Sequence, residues 1–272
     1  MASINVLIDK IKDEQIGASS KRVLILEGTD DVQTFGHFLR HRSAGWEQHW
    51  VLADAGGKKR VLEVLEKEPA WLGVVDCDEW EAAECARKIQ QYPNLMCLPR
   101  YCIESYLVDP DELWALLPLV QQQKIAGGLP ALRQLLMSDF HRWVNHGALW
   151  AVVNPMMEKL NALGFKGALL NIDVASDDAR IQQKLQAWHD FFIPAPIFQD
   201  VQDKRAMISD LPLNQQLTQH IHGKQFFETV VVPVLNRALR QQNKKENWLK
   251  DLFKGLPAVP ADLDPIWQKM GL

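Results

Sequence analysis

An α/β fold is what this sequence predicts: a parallel sheet flanked by helices, followed by a mostly helical C-terminal region. Three observations carry that prediction. Between residues 20 and 100, short apolar runs rich in β-branched residues alternate with amphipathic stretches, the mark of βαβ units whose strands are buried on both faces. After about residue 110 such runs become few, and Gln-rich helical patterns broken by Pro take over. The chain has 272 residues, 47% of them hydrophobic, which is enough for a sizeable core in one or two domains.

The elements follow in order. Ile4, Leu7, Ile8 and Ile11 recur at helical spacing and predict an N-terminal helix, ended by Gly17 and the serines after it. The runs VLILE (23–27), WVLAD (50–54), LGVVD (72–76) and LMCLP (95–99) predict four strands, and the stretches 31–42, 58–68 and 79–91 predict the helices between them. The domain boundary is expected near Pro110, giving an α/β unit over 1–110 and a helical region over 111–272. Within the latter, DELWALLPLVQQQ, ALRQLLMSDFHRWV, RIQQKLQAWHDFF and FFETVVVPVLNRALRQQ read as helices, while ALLNIDV (168–174) is a further strand candidate without an assigned place.

Composition narrows the function. Thirty basic against 34 acidic residues give a net charge of −4, so no global basic surface awaits nucleic acid. Any such binding must come from a local patch, or from metal ions that reverse the sign of an acidic site. Cys77, Cys85, Cys97 and Cys102 fall in one short window without CxxC pairing, which predicts reduced thiols in a cytoplasmic protein and no disulfides. No apolar run approaches the ~18 residues needed to span a membrane, and no targeting address is readable. The pattern GxxxxGK[ST] is absent, so the chain is not expected to hydrolyse ATP. His37 and His41 have a zinc-compatible spacing but no third ligand. Six of the ten tryptophans fall after residue 110; they read as core, with an exposed Trp face there a natural docking surface. The segment 236–254, with six basic and two acidic residues, reads as a solvated helix face.

The most informative feature is where the carboxylates stand. Run 23–27 ends in Glu27, with Asp31 four residues on, and run 72–76 ends in Asp76, with Asp78 two residues on. In a parallel sheet the C-terminal strand ends share one edge, so these side chains are expected to converge there. Such a cluster repels itself, yet it suits one or two Mg2+ ions, which take hard oxygen ligands and support phosphodiester cleavage. Taken singly, Asp30 or Asp31 would cap helix 31–42, and Asp78 with Glu81 has capping-box spacing. Capping does not account for Glu27 and Asp76.

LILEGTDD followed by GVVDCDE resembles the TOPRIM domain, marked by a strand-terminal Glu-Gly, an Asp four residues after that Glu, and Asp-x-Asp after a later strand. ADAGGKKRV (53–61) and IESYLVDP (103–110) extend the likeness to TOPRIM nucleases of the OLD group and to the ATPase-associated TOPRIM effector family of the PARIS anti-phage system. The resemblance implies that Glu27 is a metal ligand or general acid/base and that Asp31, Asp76 and Asp78 bind Mg2+ or Mn2+. It further implies that Glu104 completes a second metal site; a buried glutamate paired with Arg100 is the other reading of that residue. Lys58, after Gly56-Gly57 at a helix start, is a candidate phosphate partner. Lys224, in HIHGKQFFE, resembles the late Gly-Lys of these nucleases. By the same resemblance the chain would be the toxic effector of a bacterial defence module. It would cut RNA (tRNA in particular) or DNA, work with a separate ABC-type ATPase, form a homo-oligomer when active, and stay off membranes. Two rivals share the motifs. One is a catalytically inert TOPRIM-like interaction module of an ATPase complex. The other is a primase or topoisomerase, the latter needing a nucleophilic tyrosine from among Tyr92, Tyr101 and Tyr106.

Overall fold

The computed structural model describes residues 3–78, 80–163 and 176–272, so the strand candidate at 168–174 lies outside the described residues. Helix α1 (Ile4–Lys10) runs on into a π-helical stretch, Ile11–Ile16, and packs beneath the sheet. Strands β1 (Arg22–Leu26), β2 (Trp50–Asp54), β3 (Leu72–Val75) and β4 (Leu95–Cys97) are all parallel, in the order β2-β1-β3-β4. Helices α2 (Thr29–Arg42), α3 (Lys58–Lys67) and α4 (Ala82–Gln91) make the crossovers.

The runs lie in strands because each is buried on both faces. Val23, Ile25, Val51, Ala53 and Val75 pack with Val61, Val64 and Leu65 of α3 and with Ile8 and Ile11. The alternate residues Leu24 and Leu26 point to the opposite face, where α2 lies across β1 and β2. Ladder pairing ends one residue earlier than expected, at Leu26 and Val75. Glu27 and Asp76 are therefore the first residues beyond the strands, and β1 and β3 are neighbours.

Two compact units divide the chain, residues 1–138 with 217–272 and residues 139–216, which differs from the expected boundary near Pro110. The physical reason is that the last segment returns to the sheet. After the 3-10 turn Ile103–Leu107 come α5 (Pro110–Leu116), α6 (Leu119–Gln122) and α7 (Gly128–Leu136). Helix α13 (Lys245–Lys254) then brings Phe253 to 5.6 Å from Phe38, and α14 (Asp264–Met270) brings Trp267 to 5.7 Å from Phe35. Arg100 pairs with Asp262 at 2.9 Å, and Lys269 Nζ donates to the Leu95 carbonyl at 3.2 Å. Trp248 and Trp267 are core residues, fully buried in this unit.

The other unit comprises α8 (Phe140–Ala162), α9 (Asp178–Phe191) and α10 (Pro194–Ser209). Asp177 caps α9 by accepting from the amides of Ala179 and Arg180, and Val144, Ala148 and Ile208 are buried together beside Phe140. No described helix is long and apolar enough to cross a membrane.

Candidate metal centre

Glu27, Asp76 and Asp78 each present a carboxylate oxygen within 4.8 Å of the other two, as expected of residues leaving neighbouring strands. Backbone geometry sets each of them. The Gly56 and Gly57 amides donate to the Glu27 carbonyl at 3.0 and 2.8 Å. Both glycines have positive φ, 80° and 127°, which side chains rarely adopt, so the β2–α3 turn grips the end of β1 only with that sequence. The Glu27 carboxylate accepts the Asp76 amide at 2.8 Å. Asp78 takes φ 45°, fixed by its amide donating to the Tyr101 carbonyl at 2.7 Å. It stands ahead of any described helix end: α4 begins at Ala82 with Glu81 as its N-cap residue, so Asp78 and Glu81 are not the N-cap and N3 residues of a capping box.

Three lysines lie on this acidic edge. Lys58 Nζ is 2.9 Å from Asp78 and 4.5 Å from the Trp80 ring centroid. Lys224 Nζ donates to Asp76 at 2.6 Å, and Lys245 Nζ is 3.0 Å from Glu104 Oε1. Lys58 and Lys224, expected as phosphate partners, thus stand on carboxylates. Lys224 is the second residue of α11 (Gly223–Phe226), the first part of a helical run continued by α12 (Val232–Leu239). Gly223 packs so tightly on the 3-10 turn that a Cβ there would lie 2.5 Å from Ser105 Oγ and 2.7 Å from Cys102 Sγ.

Asp31 and Glu104 are not members of the close triad. Asp31 Oδ2 accepts the Gly28 amide at 2.9 Å and so caps its own helix, the plainer of its two sequence readings. Glu104 is paired with Lys245, whereas Arg100 bonds Glu112 and Asp262. Both carboxylates line a cavity of about 500 Å3 together with Glu27, Asp30, Lys224 and Lys245. Glu104 is 2% exposed, and its Oε2 has no hydrogen-bond partner among the described residues. A buried carboxylate oxygen left without a donor is costly, and a cation in the cavity would satisfy it.

The electrostatics agree with a site in which carboxylates outnumber cations. Burial, opposed by Lys58 and reinforced by Asp78, raises the Glu27 carboxyl to about 7. Burial, opposed by Lys224 and reinforced by Glu104, raises Asp31 to about 6. Asp76, 2% exposed, is pushed well above the carboxylate range by burial. Burial disfavours the Lys224 charge, but Asp76 and Asp78 outweigh it and hold the ammonium protonated. Six carboxylates against three ammoniums leave a formal excess of three negative charges around the cavity and triad. All donors are hard oxygens, the set that fits Mg2+ or Mn2+.

No family model matches the chain, and no curated protein or solved structure matches it. Two residues of this edge escaped sequence reading. Lys245 sits in the basic segment read as solvated, where nothing in its spacing sets it apart. Trp80, placed under both Lys58 and Lys88, carried no signal beyond its closeness to Asp78.

Proposed function

We propose that the chain is a Mg2+- or Mn2+-dependent nuclease of TOPRIM type that cleaves phosphodiester bonds. The observation that carries the reading is the convergence of Glu27, Asp76 and Asp78 at the carboxyl edge of a parallel sheet. These three would hold a divalent ion, which when bound supplies Lewis-acid polarisation and activation of a nucleophile. Asp31 and Glu104 extend the donor set into the cavity. Without the ion the Glu27 carboxyl is raised to about 7, so binding a cation there would displace a proton near neutral pH. Lys224 and Lys58, already beside the carboxylates, would supply positive charge to a scissile phosphate.

The substrate is a polynucleotide, RNA with tRNA as the specific candidate, or DNA. The resemblance stated above further supports a cytoplasmic toxic effector held by a separate ABC-type ATPase and homo-oligomeric when active. A topoisomerase is disfavoured because Tyr101 and Tyr106 are buried, while Tyr92 bonds Glu66 at the turn entering β4, on the far edge of the sheet. The alternative of an inert interaction module draws on the lysine pairing, which leaves each of Asp76, Asp78 and Glu104 an internal cation.

The test is incubation of the purified chain with tRNA and with plasmid DNA, in Mg2+, in Mn2+ and in EDTA, with and without the ATPase. Cleavage that needs the ion and is lost in Glu27→Gln supports the nuclease. Intact substrates in every condition would favour the inert module.

A further inference from the structure

Cys77 and Cys85 lie with their sulfurs 3.2 Å apart. Cys77 stands between Asp76 and Asp78, and Cys85 is in the first turn of α4. Both sulfurs lie near one carbonyl oxygen, that of Trp80, at 3.1 Å from Cys77 and 3.8 Å from Cys85, and Cys85 also hydrogen-bonds Cys97. The Trp80 amide donates back to the Cys77 carbonyl at 2.9 Å. Thiol protons therefore help to hold the turn that presents Asp78 in its left-handed conformation. Cys85 is buried, whereas Cys77 is only half-buried.

We propose that Cys77 and Cys85 are an oxidation site, and that their disulfide displaces the turn carrying Asp76 and Asp78. The oxidant is a hydroperoxide. The contact with Cys85 and burial hold the Cys77 thiol protonated, so oxidation is slow and runs through its thiolate: the sulfur attacks one peroxide oxygen, the O–O bond breaks, and Cys77 becomes a sulfenic acid while the other oxygen leaves as hydroxide and takes up the proton the thiol gave up, giving water. The Cys85 sulfur then attacks the sulfenic sulfur; the S–S bond forms, the S–O bond breaks, and hydroxide leaves with the Cys85 proton as water. Two thiols and one hydrogen peroxide give one disulfide and two waters. A disulfide is about 2.05 Å long, so the sulfurs must close by about 1 Å, and the product has no proton for the Trp80 carbonyl. Both changes fall on the residue between two candidate ligands, and a binding constellation tolerates only about 0.5 Å. The consequence for the ion rests on the metal-centre reading; the disulfide itself does not.

The experiment uses the full chain before and after hydrogen peroxide. Cys77 and Cys85 share one tryptic peptide, Glu68–Arg87, that contains no other cysteine. The expected result is loss of two hydrogens from that peptide, resistance to alkylation, faster amide exchange across residues 76–81, and Mn2+ binding at least tenfold weaker, all reversed by dithiothreitol. Cys85→Ser should bind Mn2+ as the reduced chain does and show no hydrogen loss. The proposal is overturned if both thiols remain alkylatable, or if the disulfide closes with exchange across 76–81 unchanged. A reduced chain that binds no Mn2+ would overturn the metal centre instead, leaving the exchange measurement to decide the pair.

Discussion

Replacing Lys224 by methionine keeps a stem of similar length but removes the ammonium from Asp76. Breaking a buried ion pair costs about 3–5 kcal/mol. Here the Asp76 side chain is 2% exposed but that of Lys224 is 39% exposed, so solvent relieves part of the loss and about 2 kcal/mol is expected. At about 2–4 °C per kcal/mol for a chain of this size, Tm should fall by about 4–8 °C. The loss should also depend on pH. Asp76 is held above its ordinary value by burial, with Lys224 pulling it down. A carboxyl whose folded value exceeds its unfolded one contributes stability that is full below the unfolded value and lost as pH rises through the folded one. Without Lys224 the folded value moves higher still, so the variant should lose more above neutrality than at about pH 5. If the cluster is a cation site, millimolar Mn2+ should restore much of the Tm. Scanning calorimetry at both pH values, with Mn2+ and with EDTA, checks this. An equal fall in every condition would refute the reasoning, because it would mean that Lys224 serves packing alone.

Three other outcomes are expected. Glu27→Gln keeps an acceptor for the Asp76 amide, so it should change stability by less than about 1 kcal/mol yet abolish Mn2+ binding and cleavage, read by titration calorimetry and a gel assay. In EDTA the wild-type chain should lose stability as pH rises from 4.5 to about 7, because Glu27 has a raised folded value; the Glu27 share has a ceiling of about 3 kcal/mol at about 1.4 kcal/mol per unit, Asp31 and Asp76 add to it in the same direction, and denaturant unfolding measures the sum. Gly223→Ala would press a methyl onto Ser105 and Cys102, costing about 1–3 kcal/mol and shifting Lys224, so it should lower both Tm and activity while Gln225→Ala, on an exposed position, lowers neither.

Strands and helices of the α/β half were legible because parallel strands are buried on both faces and stand out as apolar runs between amphipathic ones. Glu27 and Asp76 were legible for the same reason, as carboxylates that end such runs. Asp78 was ambiguous, since its spacing to Glu81 suits a capping box that the start of α4 at Ala82 does not form. Strand order is a tertiary property, and the adjacency of β1 and β3 that joins the two motifs is not written in either. The return of residues 217–272 to the sheet was illegible too: Trp267 reads as an ordinary core residue and Phe253 falls in the segment read as a solvated helix face, and only the packing reveals that their partners are Phe35 and Phe38. Lys245 is paired across a long stretch of chain with Glu104, which neither local sequence announces. The Cys77–Cys85 contact depends on α4 folding back over its own leading turn, which a spacing of eight residues does not specify.

The central claim is that Glu27, Asp76 and Asp78 form one divalent-cation site. The measurement closest to it is anomalous diffraction from crystals of the full chain grown with Mn2+, compared with crystals grown in EDTA. The metal-centre reading predicts an anomalous peak within coordination distance of all three carboxylates, with Lys224 withdrawn from Asp76. Crystals in Mn2+ that show no peak among these carboxylates, and Lys224 still on Asp76, would contradict it.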